Sequence, residues 1–233
     1  MLKVKQFRYN SDNLSYLIYG GNHALAIDGG AIKDIFSFME SQKLNLLFIT
    51  NTHRHPDHTS GNSALLDRSN ARLLRYEEII SMGSIGLEGQ TINIYKTPGH
   101  TDDSICFHVD SILVAGDTLF NGTIGNCFSG NIKNFYHSIK KIMTLPVDTI
   151  IYAGHDYVHD AMTFARKLEP DNKYIDVFLN HYRSEHIFST LMDEMKVNPY
   201  LRFNEKSIIG LLKKNDLPYH TEWERWQSLM SIE

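Results

Sequence analysis

Cysteine is nearly missing from this 233-residue chain. The two present, Cys106 and Cys127, are too few and too far apart for a zinc CxxC pair or a disulfide framework. Cys106 falls in an apolar strand and reads as a small core residue, whereas Cys127 falls in a loop. No stretch approaches the ~18 consecutive apolar residues of a membrane span. The opening MLKVKQFRYN has neither the apolar segment nor the small-residue cleavage site of a secretory signal, so the expectation is a cytoplasmic protein with no membrane partner. No run of Lys and Arg exceeds two residues, and the net charge of −4 with a pI near 6.3 argues against a nucleic-acid partner. Internal repeats, low-complexity segments and a GxSxG nucleophile elbow are all absent. What is left is an ordinary globular composition, 42% hydrophobic, sufficient for one domain or one domain with an appendage.

The first two-thirds alternates strand and helix signals. Short apolar runs at 14–19 and 24–27 predict strands, the second ending in the turn Asp28-Gly29-Gly30. Ile32, Ile35, Phe36 and Met39 recur at helical spacing over 32–44, and Leu46 to Ile49 forms another buried-strand run. Further strands are expected at 91–96, 104–109, 112–115 and 149–153, with an amphipathic helix over 131–145 that Pro146 helps to stop. From Val158 the strand signals cease, and helices are expected, one over 171–187 and one opening at Thr221, whose pairing with Glu224 fits a capping box. The coarse expectation is an α/β body followed by an all-helical extension.

The stretch TNTHRHPDHTSGN, residues 50–62, holds His53, His55, Asp57 and His58 within six residues, directly after an apolar strand. Loops delivered by buried strands sit on a rigid scaffold and often carry function. In extended chain His53 and His55 point the same way while Asp57 and His58 address a second point, and Pro56 keeps His55 out of helical angles. Three more residues share that context: His100 in TPGHT, Asp117 in VAGDTLF and His155 in YAGHDY, each after a predicted strand and beside a glycine. One such histidine alone is more often a hydrogen-bonded structural residue than a ligand. Together the set has the donor types of a dinuclear site with open positions for water.

With His53, His55, Asp57 and His58 as an HxHxDH signature, and His100, Asp117 and His155 following in order, the chain resembles the metallo-β-lactamase fold superfamily. Within it the chain is most similar to glyoxalase II, the hydroxyacylglutathione hydrolases, a likeness that NPYLRFNEK at 198–206 extends almost to the end. The resemblance implies a four-layer αββα sandwich, with residues 1–157 as catalytic domain and 158–233 as a helical, substrate-binding domain. It implies that His53, His55 and His100 hold one metal, that Asp57, His58 and His155 hold the other, and that Asp117 bridges, with Asp57 and Asp117 the carboxylates of the catalytic centre.

Imidazole and carboxylate donors suit zinc, iron or manganese, so two divalent ions are expected without a choice among them. Cations sharing one solvent oxygen lower its pKa from ~15.7 towards ~7, and a thiol of pKa ~8.5 leaves without a strong general acid. Both fit hydrolysis of S-2-hydroxyacylglutathione, such as S-lactoylglutathione, or a related small-molecule acyl-thiol. Asp102 and Asp103, near His100, read as turn residues instead. By resemblance Tyr157, Arg202 and Lys206 contact the substrate. The family's thiol-binding loop departs from pattern here, with Asn126 where a cation is usual and Phe128 where tyrosine is, so another low-molecular-weight thiol enters beside glutathione. The main alternative is a persulfide dioxygenase, a mononuclear-iron oxidoreductase of the same fold, followed by other hydrolases of that fold. The long tail favours the thioesterase.

Overall fold

A computed structural model describes residues 1–232. The chain opens with antiparallel strands β1 (Lys3–Tyr9) and β2 (Asn13–Tyr19), and β3 (His23–Ile27) follows antiparallel to β2. Helix α1 (Ile32–Gln42) then crosses over to β4 (Asn45–Thr50), which lies parallel to β3. Two short helices, α2 (Pro56–Thr59) and α3 (Asn62–Asp67), lead to β5 (Arg72–Leu73), which completes a sheet of order β1-β2-β3-β4-β5.

The second sheet begins after α4 (Tyr76–Met82), with the meander β6 (Ser84–Leu87), β7 (Gln90–Lys96), β8 (Ile105–Val109) and β9 (Ile112–Gly116). Helix α5 (Ile132–Ile142) carries the chain to β10 (Ile150–Ala153), parallel to β9. The remainder comprises α6 (Val158–Leu168), α7 (Tyr174–His181), β11 (Ser189–Thr190), α8 (Leu191–Val197), α9 (Lys206–Lys214) and α10 (Glu222–Met230).

Why these strands read as continuous apolar runs follows from their two buried faces. Alternate side chains of a strand point to opposite sides. Leu14, Tyr16 and Ile18 of β2 meet Ile105, Phe107 and Val109 of β8 in the core between the sheets, while Leu17 turns outward to Ile35 and Met39 of α1. On the far side, Cys106, Leu113 and Ala115 of the second sheet face Phe135, Ile139 and Ile142 of α5. Burying each of those α5 side chains contributes roughly 1.5–3 kcal/mol, enough to fix the helix on the sheet. Three apolar layers between four structural layers make the αββα sandwich. The tail joins it from both sides, α6 through Val158, Met162 and Ala165 in the inter-sheet core and α10 through Trp226 beside Phe135.

Two expectations are corrected. The segment from 158 on is not purely helical, because β11 pairs antiparallel with β10 and forms the edge of the second sheet. The helix expected over 171–187 is confined to α7. Its continuation makes a turn closed by the His186 N–H and the Arg183 carbonyl, after which Ile187 exchanges two hydrogen bonds with the Gln6 side chain on β1, at 2.7 and 2.8 Å. The amino-terminal strand β1, exposed at the sheet edge with Lys3 and Lys5, had no strong signal. At the other end the Thr221–Glu224 capping box is present, each side chain accepting the other's backbone N–H. Glu233, the last residue of the expected helical segment, lies outside the described residues. Among the described residues no helix is long and apolar enough to cross a membrane.

Candidate metal centre

The carboxyl ends of β3, β4, β9 and β10 open on one edge of the sandwich, joined there by the loop between β7 and β8. From β4 the chain runs extended through His53 and His55, the latter at φ −61°, ψ 144°, as Pro56 requires, and then makes the single turn α2 that carries Asp57 and His58. His100 comes from the β7–β8 loop, Asp117 follows β9 and His155 follows β10. Two glycines make the approach possible. A Cβ on Gly154 would stand 2.0 Å from Asp117 Oδ1 and 2.9 Å from His58 Cε1, and Gly116 sits at φ +52° against Thr52.

The seven side chains converge as two groups. Donor atoms of His53, His55, His100 and Asp117 lie within 4.8 Å of one another, as do those of Asp57, His58 and His155. The Asp117 carboxylate stands between the groups: Oδ2 is 3.5 Å from His100 Nε2 and 3.5 Å from His155 Nε2, while Oδ1 is 3.3 Å from His58 Nε2.

Four of the five histidines have a partner on the outer nitrogen. His58 Nδ1 donates to Asp28 Oδ2 at 2.9 Å, His155 Nδ1 to Asp12 Oδ1 at 2.7 Å and His100 Nδ1 to the Asn126 carbonyl at 2.9 Å. His53 Nδ1 faces Thr52 Oγ1 at 3.1 Å, and because that hydroxyl donates to Asp28 Oδ2 at 2.7 Å, the ring is left to donate. Such partners orient the rings and turn Nε2 of His53, His58, His100 and His155 inward, while His55 turns Nδ1 inward. The inward atoms then crowd: His53 Nε2 is 2.9 Å and His100 Nε2 3.1 Å from His55 Nδ1, and His58 Nε2 is 3.2 Å from His155 Nε2. Lone pairs at those separations repel unless a proton or a cation lies between them. Asp117 Oδ1 is buried and has no hydrogen-bond partner among the described residues. Inward lone pairs, an orphaned carboxylate oxygen and an all-N/O donor set fit two divalent cations.

Protonation behaviour agrees. Burial and then the neighbouring His58 push His53 down to about 2. Burial would lower His58 as well, but the Asp28 and Asp117 carboxylates hold it well above the ordinary imidazole range, and Asp117 likewise raises His155 against its burial. Asp117 is held well below the carboxylate range by His155 and His58 in spite of its burial. Protons on His58 and His155 thus stand in for positive charge that this set of carboxylates demands, and they are displaced when cations enter.

The remaining site candidates separate. Tyr157 stacks on His155 with ring centres 5.1 Å apart and planes at 4°, its far edge against Phe120. Tyr157 and Asn126 line one cleft of about 210 Å³, with Phe120, Thr123 and Phe164 among its walls. Phe128, 66% exposed, sets its ring edge-on to His55 and His100 at 5.5 and 5.3 Å. Arg202 is elsewhere. Its guanidinium is held by Glu169 through two hydrogen bonds of 2.6 and 2.9 Å, and it lines another cleft, with Pro170 and Lys214. Lys206 is the exposed first residue of α9. Neither is among the described residues lining the cleft beside the centre, because the Glu169 pair fixes this end of the tail against the end of α6. Asp103 faces Thr101 and Arg54, a turn role.

Sequence reasoning passed over Asp12, Asn13, Asp28 and Thr52. Asn13 Nδ2 donates to Asp57 Oδ2 at 2.8 Å and orients it. The one available signal was Asp28, which follows its strand and sits beside a glycine as His100, Asp117 and His155 do.

Comparison with known proteins adds the following. Residues 156–231 match the family model described as Hydroxyacylglutathione hydrolase C-terminus, and residues 80–155 match the Metallo-beta-lactamase superfamily model. A hydroxyacylglutathione hydrolase of Pseudoalteromonas translucida is 30% identical over 100% of this chain and 97% of its own. Hydroxyacylglutathione hydrolase 1 of Vibrio vulnificus is 35% identical over 83% and 84%. Among solved structures, ETHE1 from Myxococcus xanthus superposes with a TM-score of 0.67 at 22% identity, covering 93% of this chain and 92% of that one. The BLEG-1 B3 metallo-beta-lactamase does so with 0.65 at 21%, covering 85% and 99%. At such identities the structural likeness establishes the fold alone.

Proposed function

This chain belongs to the hydroxyacylglutathione hydrolases of the metallo-β-lactamase superfamily, and from that premise we propose that it hydrolyses small-molecule acyl thioesters, 2-hydroxyacylglutathiones or related acyl-thiols, to the acid and free thiol. The observation that carries the reading is the pair of donor groups sharing Asp117 beside an open cleft. His53, His55 and His100 would hold one ion and Asp57, His58 and His155 the other, with Asp117 between. Divalent cations at these positions supply Lewis acidity: they lower the pKa of water towards ~7 and offset negative charge that develops at a carbonyl oxygen.

The protein's own residues do the rest. Asp28 and Asp12 keep His58 and His155 in the tautomer that turns Nε2 inward, and Asn13 holds Asp57. Tyr157, stacked on His155, is placed to align a thioester lying along the cleft, while Phe128 presents an apolar edge beside His55 and His100. No serine or cysteine nucleophile is required, and the leaving thiolate needs no dedicated acid. Residues 1–157 form the catalytic unit in this reading and 158–233 supply the cleft's outer wall through α6. The partner is a small thioester, with neither nucleic acid nor membrane, and the compartment is the cytoplasm.

The test is hydrolysis of S-lactoylglutathione by metal-loaded protein, followed by thiol release. Acid and thiol appearing in equal amounts is expected. Protein that holds two ions per chain and leaves a panel of acyl-thiols intact would refute the reading.

A further inference from the structure

The cleft lined by Tyr157 and Asn126 adjoins the centre, because Tyr157 stacks on His155 and the Asn126 carbonyl accepts from His100, so a thioester whose carbonyl lies between His100 and His155 can extend its thiol half into it. Its walls are Phe120, Ile124, Ala161 and Phe164, its polar groups are Thr123, Asn126 and Tyr157, and Asp160 is the one charged residue among those that line it. No described lining residue is Lys, Arg or His, although other clefts of this molecule have cations: Arg54 and Arg75 in one, Lys173, Arg202 and Lys214 in another.

A free carboxylate entering such a cleft gives up water without gaining a charge-assisted partner, and it meets the field of Asp160. Asp160 stands in the first turn of α6, exposed, with no ion-pair partner among the described residues. Its negative charge suits that helix end, but the same charge faces the cleft. Neutral amides, esters and hydroxyls suit Asn126, Thr123 and Tyr157 as partners, and an ammonium suits Asp160.

Building on the thioesterase reading, we propose that this cleft selects a thiol half whose carboxylates are absent or masked and which carries an ammonium towards Asp160: an aminothiol, or a peptide thiol amidated or esterified at its carboxyl groups. Free glutathione thioesters are then turned over as the poorer substrates. Asn126 and Asp160 set the preference without touching the reacting atoms.

S-lactoylglutathione and its dimethyl ester test this: they differ by two negative charges and two methyl groups, both retain the amine, and the salt dependence separates the charge effect from the methyl contribution. With metal-loaded enzyme the diester should show kcat/KM at least about threefold higher, the difference lying in KM and shrinking in high salt. Asp160→Asn should bring the ratio towards one, and Asn126→Lys should reverse it in favour of the diacid. Equal use of the two, or preference for the diacid by wild-type protein, overturns the proposal. If neither ester form is hydrolysed, the hydrolase reading fails separately, and calorimetric binding of S-methylglutathione and its dimethyl ester still decides the matter. Tighter binding of the diester supports the cleft's selectivity, and equal or weaker binding overturns it.

Discussion

Asp28 Oδ2 accepts a hydrogen bond from Nδ1 of His58 at 2.9 Å, both side chains fully buried. The same oxygen takes the Thr52 hydroxyl at 2.7 Å, and Thr52 in turn faces His53. One carboxylate therefore braces a ligand of each donor group, and the two groups are coupled through it.

Replacing that carboxylate by its amide, Asp28→Asn, keeps the shape and removes an acceptor from His58 or Thr52. Metal affinity should fall roughly 10- to 100-fold, at both positions, since partners of this kind orient the rings. Chelator competition measures it, with thermal unfolding of the metal-free protein as the control for folding. Loss confined to one ion would show that the coupling through Thr52 carries nothing.

His58→Ala and Asp117→Ala should each abolish thioester hydrolysis, on the order of 100-fold or more, while circular dichroism remains that of the folded protein. They differ in stoichiometry. His58→Ala should retain the ion of the His53 group, whereas Asp117→Ala weakens both, because its two oxygens face both groups. Elemental analysis after gel filtration distinguishes them.

A pH effect on stability is expected from Glu194, which is buried under the loop that leads from Asp117. Burial pushes its carboxyl up to about 7, against hydrogen bonds from Asn198 Nδ2 and the Gly122 N–H. With an ordinary value near 4.5 in the unfolded chain, the folded protein keeps a proton that the unfolded chain has lost between those two pH values. Stability from this group is therefore complete below about pH 4.5 and declines as pH rises towards 7, by up to about 3 kcal/mol. Glu194→Gln should remove that decline, and denaturant midpoints of both proteins across pH 5 to 8, at equal metal load, compare the slopes.

Much of the sandwich was legible because its inner strands are apolar on both faces, as Leu14 to Ile18 and Ile105 to Val109 are, and such runs stand out without a partner in view. Strand β11 had no such mark: Ser189 and Thr190 become a strand only through pairing with Ile151 and Ile150. The path after α7 was likewise hidden, since Ile187 is held by Gln6, a residue 181 positions away. In the centre, ligand-type residues announced themselves by following strands. Asp28 follows its strand too, but it and Asp12 stayed hidden, since an aspartate in a turn has the same sequence signature whether it faces water or an imidazole. Arg202 is held by a carboxylate 33 residues earlier, a pairing of which its motif position gave no sign.

The central claim is that seven side chains from separate strand ends cage two cations. Anomalous diffraction from crystals of the metal-loaded protein tests it most directly. The account predicts two peaks ~3.5–4 Å apart, one among His53, His55 and His100, the other among Asp57, His58 and His155, with Asp117 reaching both. A single peak confined to one group, or ions bound away from these residues, would contradict it.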